Sequence, residues 1–282
     1  MKIKVAEHAG FCFGVRRATR KIEEALKAGI KLYAIGEPIH NPQEVNRLVK
    51  LGLIVLKDAE NVPDGATAFI RAHGVAPEVI AKLRKKNVKV VDGTCPFVKV
   101  VQKRANELSE KGYHVLILGE SDHPEVKGIV GHIHGSFSVI SSENQVLIST
   151  TNKNSAKIHK LGLVSQTTQS EEVFNAVLKR AQELPVDEFK SYNTICNATQ
   201  ERQEAVRQLA HNVDGMIVIG GKNSANTRRL RDIASSIGCP VQWIECASQL
   251  DKSWLAGKET IGIAAGASTP DWIIQQLNDE IS

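Results

Sequence analysis

Three cysteines stand at the same distance from three strand-ending glycines, and this repeat constrains the fold more than any other feature of the sequence. Each cysteine precedes by 24 positions a glycine that closes an apolar run, and four positions after the glycine stands a polar residue. The three sets are Cys12, Gly36 and His40; Cys95, Gly119 and His123; and Cys196, Gly220 and Ser224. Self-similarity at a fixed spacing indicates a chain built from three copies of one unit.

The same order of elements follows each cysteine. A helical pattern comes first, in residues 15–28, 98–111 and 201–213, and an apolar strand, a polar turn and a second helix come next. A later strand then ends in a small polar turn, FIRAHG, LVSQTT or GIAAGAST. Gly119 and Thr167 are 48 positions apart, as are Gly220 and Ser268, and His73 takes the matching place in the shorter first third.

Alternation of strands and helices predicts doubly wound units with parallel sheets, whose ligand sites lie beyond the carboxyl ends of the strands. We therefore predict an α/β protein of three small doubly wound lobes in a pseudo-threefold trefoil. The predicted lobes are residues 13–96, residues 97–195, and residues 196–282 together with 1–12, whose N-terminal strand joins the last lobe. Each lobe is of ordinary domain size and directs one cysteine to a shared centre.

The three cysteines of the repeat fit an iron-sulfur cluster at that centre. Thiolates suit iron-sulfur clusters, zinc and copper(I), and three of them can each hold one corner of a cubane cluster. The fourth iron is then open, which favours chemistry on a bound oxygen over electron transfer alone. The competing interpretation is that each is an ordinary buried cysteine. Cys239 and Cys246 have no partner in the repeat and are predicted to be packed thiols.

Composition and charge exclude several classes of protein. The 282 residues are 42% hydrophobic and 24% charged, and no apolar stretch approaches the ~18 residues of a membrane span. The first residues show no apolar signal segment, so we expect a cytoplasmic protein without membrane partners. An odd number of cysteines argues against a disulfide scaffold. The net charge of +5 is too small to indicate nucleic acid as a partner, and the run of residues 84–86 is interpreted as a solvated helix face.

Polar residues at the strand ends resemble a phosphate site. Hydroxyl, amide and imidazole donors beside helix N-terminal amides favour an anion. Each residue alone has a simpler explanation. Serine and asparagine are common N-caps, and a buried histidine often has both ring nitrogens hydrogen-bonded within the core. The candidates are His40, Asn41, His73, Ser224, Asn226 and Ser268.

A carboxylate in the segment DHPEV is the candidate proton donor. Glu125 stands two residues after His123, where it could act as a general acid toward a hydroxyl leaving group. Thr167 and His123 would complete a proton path. The alternative is a first-turn glutamate that only favours the helix dipole.

Taken together, these motifs resemble the family of 4-hydroxy-3-methylbut-2-enyl diphosphate reductases of the non-mevalonate isoprenoid pathway. The resemblance extends over essentially the whole chain. It rests on GFCFGV, PIHN, RAHG, GTCP, DHPEV, SQTT, TICNAT, KNSANTRRL and GAST, in that order.

The resemblance implies one 4Fe-4S cluster with Cys12, Cys95 and Cys196 as ligands and the substrate hydroxyl on its apical iron. Two electrons and two protons would remove that hydroxyl as water and give isopentenyl and dimethylallyl diphosphates. An external donor such as ferredoxin or flavodoxin would supply the electrons. Glu125, His123 and Thr167 match the family's catalytic, proton-delivering positions. The positions that match substrate contacts are His40, His73, His123, Thr167, Ser224, Asn226 and Ser268.

The chain departs from the family pattern at Ala225, where family members often carry a second serine in the turn KNSSN. It also ends without the RNA-binding module of some relatives, which disfavours a nucleic-acid role. Two other classes of function stay open. A cluster-dependent hydro-lyase would consume no net electrons, and a zinc-binding adaptor would be colourless and lack sulfide.

Overall fold

The computed structural model describes residues 1–150 and 158–281, with the side chains of residues 148–150 left aside. The last position of the predicted third lobe, residue 282, and residues 151–157 of the second lie outside the described residues. The strands are β1 (Lys2–Val5), β2 (Leu32–Ile35), β3 (Ile54–Leu56), β4 (Thr67–Ile70), β5 (Lys89–Asp92), β6 (His114–Leu118), β7 (Phe137–Ile140), β8 (Lys160–Ser165), β9 (Glu188–Ser191), β10 (Gly215–Ile219), β11 (Val241–Ile244) and β12 (Thr260–Ala265).

Helices follow nearly every strand. They are α1 (Phe13–Lys27), α2 (Pro42–Lys50), α3 (Pro77–Lys85), α4 (Pro96–Glu110), α5 (Pro124–Val130), α6 (Gln145–Thr150), α7 (Glu171–Gln182), α8 (Asn197–Ala210), α9 (Ala225–Ser236) and α10 (Asp271–Ile281). Short 3-10 turns occupy Ala59–Asn61, Ala247–Gln249 and Lys252–Leu255.

The described strands form three four-stranded parallel sheets of one topology, which confirms the predicted α/β class. Their strand orders are β3-β2-β4-β5, β7-β6-β8-β9 and β11-β10-β12-β1. β1 therefore takes in the third sheet the place that β5 and β9 take in the other two. It pairs in parallel with β12, with Lys2 opposite Thr260 and Val5 opposite Ile263. The lobe boundaries and the trefoil arrangement remain predictions.

Both faces of the sheets are apolar, as expected for parallel strands covered by helices on either side. In β6, Val115 and Ile117 pack in a core with residues of α4 and α5. Their neighbours Leu116 and Leu118 point to the opposite face and pack in a core with residues of α7. The first sheet and the third have their own apolar cores. This alternation explains why these strands read as uninterrupted apolar runs in the sequence.

The helices that follow the repeated cysteines begin earlier than the apolar pattern predicts. α1, α4 and α8 start at Phe13, Pro96 and Asn197, directly after Cys12, Cys95 and Cys196. The first turn of α1 carries an exposed side chain, since Phe13 is 62% exposed, and Phe97 in the first turn of α4 is also exposed. Apolar periodicity therefore starts only in the second turn. The consequence is that each cysteine stands at a helix N-terminus.

Two compact units can be distinguished in the chain. Unit 1 comprises residues 1–31, 37–55 and 197–282, and unit 2 comprises residues 32–36 and 56–196. Unit 1 holds the third sheet together with α1 and α2, and unit 2 holds the second sheet and β2, β4 and β5 of the first. No helix in residues 1–150 or 158–281 is long and apolar enough to cross a bilayer.

Candidate active site

The three repeated cysteines share one local geometry. Cys12 and Cys95 are the N-cap residues of α1 and α4, and neither side chain caps its helix. The backbone N–H of Cys12 donates to Ala267 O at 3.0 Å, that of Cys95 to Ala72 O at 2.9 Å and that of Cys196 to Thr167 O at 3.0 Å. Each main chain is thus fixed by the turn that follows a neighbouring strand.

This geometry suits thiolate ligands. A helix N-terminus favours negative charge, and a side chain that does not cap the helix can bind a metal instead. All five cysteines belong to the described residues, and none of them forms a disulfide bond. Cys12, Cys95 and Cys196 are each partly exposed. Each of the three cysteines, taken separately, therefore has the surroundings that a thiolate ligand of an iron-sulfur cluster needs.

The two cysteines outside the repeat differ from these three and from each other. Cys239 is buried in the apolar core of the third sheet, as predicted. Burial raises the pKa of its thiol, which keeps the sulfur protonated and makes it a poor metal ligand. Cys246 is only partly buried, and its sulfur lies 3.2 Å from the hydroxyl of Ser248. The prediction of a packed thiol is correct for Cys239, whereas Cys246 lies at a turn after β11.

The repeated glycines mark places where another element approaches the end of a strand. A Cβ atom on Gly119 would lie 2.7 Å from Cγ2 of Val126, and one on Gly220 would lie 2.7 Å from the hydroxyl of Thr227. Any side chain at these positions would displace the helix that follows. The glycines allow the polar turns after β6 and β10 to pack closely against that helix.

The strand pairing corrects one equivalence inferred from spacing. Ser165 pairs with Leu118 at the end of β8, and Ala265 pairs with Ile219 at the end of β12. Thr167 is therefore two residues beyond its strand, as Ala267 is, whereas Ser268 is three residues beyond. Equal spacing from the glycine predicted that Thr167 and Ser268 are equivalent. The strand pairing shows instead that Thr167 is equivalent to Ala267. The spacing misleads because the segment from Gly119 to the turn after β8 is one residue longer than the segment from Gly220 to the turn after β12.

Glu125 of unit 2 combines a buried carboxyl group with a raised pKa. Its side chain is only 1% exposed. One carboxylate oxygen accepts the backbone N–H of Thr167 at 2.7 Å, and the other accepts the Thr167 hydroxyl at 2.8 Å. Burial raises the pKa of Glu125 to about 7, even though the two bonds from Thr167 favour the ionised form. The group is therefore poised to exchange a proton near neutral pH.

Thr167 connects Glu125 to a repeated cysteine. Its N–H and hydroxyl hold Glu125, while its carbonyl accepts the backbone N–H of Cys196. When Glu125 is protonated, the carboxyl group donates to the Thr167 oxygen and the Thr167 hydroxyl can donate its own proton onward. Glu125 and Thr167 thus form a chain of hydrogen bonds that ends at the backbone N–H of Cys196.

His123 completes the polar group around Glu125. It is the N-cap of α5, and its Nδ1 accepts the backbone N–H of Glu125 at 3.1 Å. Because Nδ1 is an acceptor, the neutral ring carries its proton on Nε2. The His73 ring lies edge-on to it, with ring centroids 5.4 Å apart. Four predicted site residues of unit 2 are therefore neighbours, namely His73, His123, Glu125 and Thr167.

The predicted diphosphate residues of unit 1 lie around the carbonyl of His40. The Ser268 hydroxyl donates to His40 O at 2.9 Å, and a Cβ on Gly221 would be 2.6 Å from the same oxygen. Asn41 and Ser224 cap α2 and α9 and accept the backbone N–H groups of Glu44 and Thr227. The N-cap interpretation is thus correct for both residues. His40 directly precedes the N-cap of α2, and Asn226 is the second residue of α9.

Asn226 has no such structural role. It lies in the first turn of α9, only 4% exposed, and both polar atoms of its amide lack a hydrogen-bond partner among the described residues. The buried hydroxyl of Thr227 also lacks one. Leaving a buried polar group unpaired costs about 1–3 kcal/mol. Such orphaned atoms at a helix N-terminus indicate a polar ligand that pairs with them.

Sequence reasoning missed an ion pair between the buried Glu44 and the half-exposed Arg47, which supports these turns. The Glu44 carboxylate is buried, accepts two bonds from the Arg47 guanidinium at 2.6 and 2.8 Å, and accepts the Trp272 indole N–H at 3.2 Å. α2 follows Asn41 and α10 follows Ser268, so this contact links two of the predicted substrate turns. The spacing of Asn41 and Glu44, which is that of an N-cap and its N3 glutamate, was the available signal.

Parallel α/β sheets, a buried glutamate with a pKa of about 7 and buried polar atoms without partners among the described residues are typical of an enzyme that binds a polar ligand. The model of the LytB protein family matches residues 3–282. The chain belongs to this family of iron-sulfur enzymes.

Its relatives carry a consistent name. A protein of Aquifex aeolicus named 4-hydroxy-3-methylbut-2-enyl diphosphate reductase is 47% identical, over 99% of this chain and 95% of the relative. One of Geobacter sp. strain M21 with the same name is 44% identical, over 100% of this chain and 97% of the relative.

Solved structures agree with this assignment. The structure of (E)-4-hydroxy-3-methyl-but-2-enyl diphosphate reductase, described as the terminal enzyme of the non-mevalonate pathway, is 46% identical, with a TM-score of 0.72 and coverage of 100% of this chain and 99% of that one. The Plasmodium falciparum E-1-hydroxy-2-methyl-but-2-enyl-4-diphosphate reductase is 27% identical, with a TM-score of 0.91 and coverage of 99% and 87%.

Proposed function

We propose that this chain reduces (E)-4-hydroxy-3-methylbut-2-enyl diphosphate to isopentenyl and dimethylallyl diphosphates. Two electrons and two protons enter, the carbon-oxygen bond breaks, and the hydroxyl leaves as water. The observation that carries the proposal is the contact of buried Glu125 with Thr167, whose carbonyl accepts the N–H of Cys196. It joins a proton donor to a candidate cluster ligand. The names of the relatives support the same reaction.

Cys12, Cys95 and Cys196 are the proposed ligands of one 4Fe-4S cluster. When bound, the cluster supplies electrons one at a time and a Lewis-acidic iron that can activate a hydroxyl group. A ferredoxin or a flavodoxin is the proposed electron donor.

The chain's own residues supply the protons and hold the substrate. Glu125 in its protonated form delivers a proton through the Thr167 hydroxyl to the leaving oxygen, and His123 orients this end of the substrate through Nε2. His40, His73, Ser224, Asn226 and Ser268 are proposed to bind the diphosphate. The negative charge of the diphosphate is favoured at the N-terminus of α9, where the side-chain amide of Asn226 has no hydrogen-bond partner among the described residues.

Anaerobic turnover tests the proposal most directly. Purified protein, a chemical reductant and the hydroxylated diphosphate should give two products with two electrons consumed for each water released. A cluster-dependent hydro-lyase would release or add water without consuming electrons. A zinc-binding adaptor would contain zinc, lack inorganic sulfide and leave the substrate unchanged.

Removing the Ser268 hydroxyl should weaken diphosphate binding. Ser268→Ala loses the hydroxyl, whose single proton is donated to His40 O in this structure and would turn to the anion when one binds. A hydrogen bond to a charged group contributes about 1.5–3 kcal/mol, so affinity for inorganic diphosphate should fall roughly 10- to 100-fold. Calorimetric titration measures the change. Ser236→Ala is the matched control, because Ser236 also donates to a backbone carbonyl, at 2.8 Å from Ile233 O, but at the other end of α9. Equal affinity in both variants would remove Ser268 from the site.

The pKa of Glu125 predicts the pH dependence of water elimination. With a pKa of about 7, the acid form dominates below pH 7 and is lost above it. The single-turnover rate of pre-reduced enzyme should therefore be level at lower pH and decline up to tenfold per unit above pH 7. An ordinary glutamate would already be ionised throughout this range. A flat profile between about pH 6 and 9 would contradict proton donation by Glu125.

A further inference from the structure

The segment that leads to Cys12 is longer than those that lead to the other repeated cysteines. Six residues, 6–11, separate the end of β1 from Cys12. Only two residues separate the end of β5 from Cys95, and four separate the end of β9 from Cys196. A longer connection has more conformations open to it, so ordering it costs more entropy. The Cys12 segment, defined as residues 6–11, therefore depends more on contacts that hold it in one conformation.

The backbone of the Cys12 segment is strained near its middle. His8 has a φ of 60°, and Gly10 has a φ of 98°. A residue with a side chain rarely adopts the left-handed region, and it stays there only where the surrounding structure holds it. Gly10 adopts its conformation without that cost, but it has no side chain that could anchor the segment. Contacts from outside must therefore keep this part of the segment in place.

Arg202 provides such a contact. This residue lies in the second turn of α8 and is only 5% exposed. Its Nη2 donates to Gly10 O at 2.8 Å, and its Nη1 donates to Ala198 O, in the first turn of α8, at 2.8 Å. Gly10 stands two residues before Cys12. One buried guanidinium group thus joins the start of α8 to the Cys12 segment.

Backbone hydrogen bonds fix the two ends of the segment. The N–H of Ala6 donates to Ile263 O at 2.8 Å, and the N–H of Cys12 donates to Ala267 O at 3.0 Å. Both acceptors belong to β12 or to the turn that follows it. The bond from Arg202 acts between these two points, where the backbone is strained. Its removal would deprive that part of the segment of its buried contact to α8.

A guanidinium group is well suited to this task. A buried cation loses its hydration, so hydrogen bonds to protein oxygens must replace the lost water. The planar fork holds two acceptors in a fixed relation, whereas the lysine ammonium is a point charge on a flexible chain. Hydrogen bonds from a charged donor are also stronger than those between neutral groups. The burial of Arg202 therefore indicates a demand for fixed geometry rather than for charge at the surface.

We propose that Arg202 is a positioning residue that orders the Cys12 segment and so places Cys12 for binding of an iron-sulfur cluster. This role rests on the proposed function, in which Cys12 is a cluster ligand, whereas the ordering of the segment is a property of the apoprotein. Arg202 acts through Gly10 O and not by touching substrate or cluster. When it is replaced, the segment samples more conformations, and fewer of them present the thiol for metal binding.

The test compares two replacements of Arg202 with two changes elsewhere on α8. Arg202→Met removes the donors and keeps a long side chain, and Arg202→Lys keeps the charge without the planar fork. Val206→Ala is the control for lost stability, because Val206 is 1% exposed in the apolar core one turn further along the helix. Glu201→Gln is the neighbouring control, because the exposed Glu201 carboxylate lies 4.0 Å from Nδ1 of His8 in the same segment.

Three measurements are made on the full-length chain. Amide hydrogen exchange of the apoprotein is followed in peptides that cover residues 6–12 and in peptides from β10 of the third sheet. Urea unfolding gives the global stability of each variant. Iron and sulfide are then measured in the anaerobically reconstituted protein during exposure to a chelator.

We expect exchange in residues 6–12 to rise at least about tenfold in Arg202→Met, well beyond any change in β10. Retention of iron against the chelator should weaken about 10- to 100-fold, as is typical when a residue that supports a metal ligand is changed. Arg202→Lys should fall between Arg202→Met and wild type. Val206→Ala should lower stability without singling out residues 6–12, and Glu201→Gln should resemble wild type.

Unchanged exchange of residues 6–12 in both Arg202 variants would overturn the proposal. So would a rise of the same size in β10, or the same local change in Val206→Ala, because either would indicate lost stability alone. If Arg202→Met does not fold, Arg202→Lys decides by the same criteria. Local loosening with iron retained as in wild type would overturn the link to metal binding.

The proposed function can fail independently of this role. A wild-type protein that binds no iron and sulfide after anaerobic reconstitution would contradict the proposed function. Hydrogen exchange in the apoprotein would then still decide whether Arg202 orders the Cys12 segment.

Discussion

Glu125→Gln is expected to lower the rate of water elimination by about 10² to 10⁴ while the protein keeps its cluster and its substrate affinity. The amide has nearly the shape of the carboxyl group and can still accept the Thr167 N–H, but it cannot donate an acidic proton. Single-turnover elimination, cluster absorbance and substrate affinity measured on one sample separate these effects. Glu125→Asp, which keeps the acid on a shorter side chain, should retain more activity than the glutamine variant.

A glutamate that serves only the helix dipole predicts the opposite result. Loss of such a charge costs about 0.3–1 kcal/mol of stability and leaves turnover nearly unchanged. Glu171→Gln provides that comparison, because Glu171 lies in the first turn of α7 in the same unit and is exposed. Similar kinetics in the Glu125 and Glu171 variants would remove Glu125 from the proton path.

Serine in place of Cys12, Cys95 or Cys196 is expected to abolish stable cluster binding and therefore activity. A hydroxyl is a hard, weakly acidic ligand and a poor substitute for thiolate. Changes to residues that merely support a metal ligand cost about 10- to 100-fold in affinity, so loss of a direct ligand should exceed that range. Iron and sulfide analysis after anaerobic reconstitution measures the effect, and the brown absorbance should be lost with it.

Cys239→Ser is the control for these variants. Cys239 is buried in an apolar core, and its raised pKa keeps the thiol protonated. The variant should keep its iron and sulfide, although burial of a hydroxyl among apolar side chains lowers its stability. Retention of the cluster in Cys95→Ser together with its loss in Cys239→Ser would show that the repeat does not identify the ligands.

The sheets could be predicted from the sequence because parallel strands buried on both faces appear in it as uninterrupted apolar runs. The apolar runs that end at Gly119 and Gly220 correspond to β6 and β10. The glycines recur because a side chain there would collide with Val126 or Thr227. Glu125 and Thr167 were also found, because a carboxylate and a hydroxyl at two strand ends of one sheet are brought together by parallel topology.

Other features depend on contacts that spacing does not encode. The equivalence of Thr167 with Ala267 depends on the pairing of β8 and β12 with their neighbours. The bond from Trp272 to Glu44 joins residues 228 positions apart. The early start of α1 left no apolar signal, because Phe13 faces solvent. These features arise from tertiary packing, and local patterns record it only in part.

The pairing of β1 with β12 determines the order of events when the protein is made. Cys12 follows β1, and its backbone N–H is held by Ala267, which follows β12. During synthesis the first strand must wait for nearly the whole chain before its partner emerges, and such distant pairing is slow. Cys12 is therefore the last of the three repeated cysteines to reach its final main-chain position. In the proposed centre, binding of the cluster by all three cysteines would therefore follow the pairing of β1 with β12.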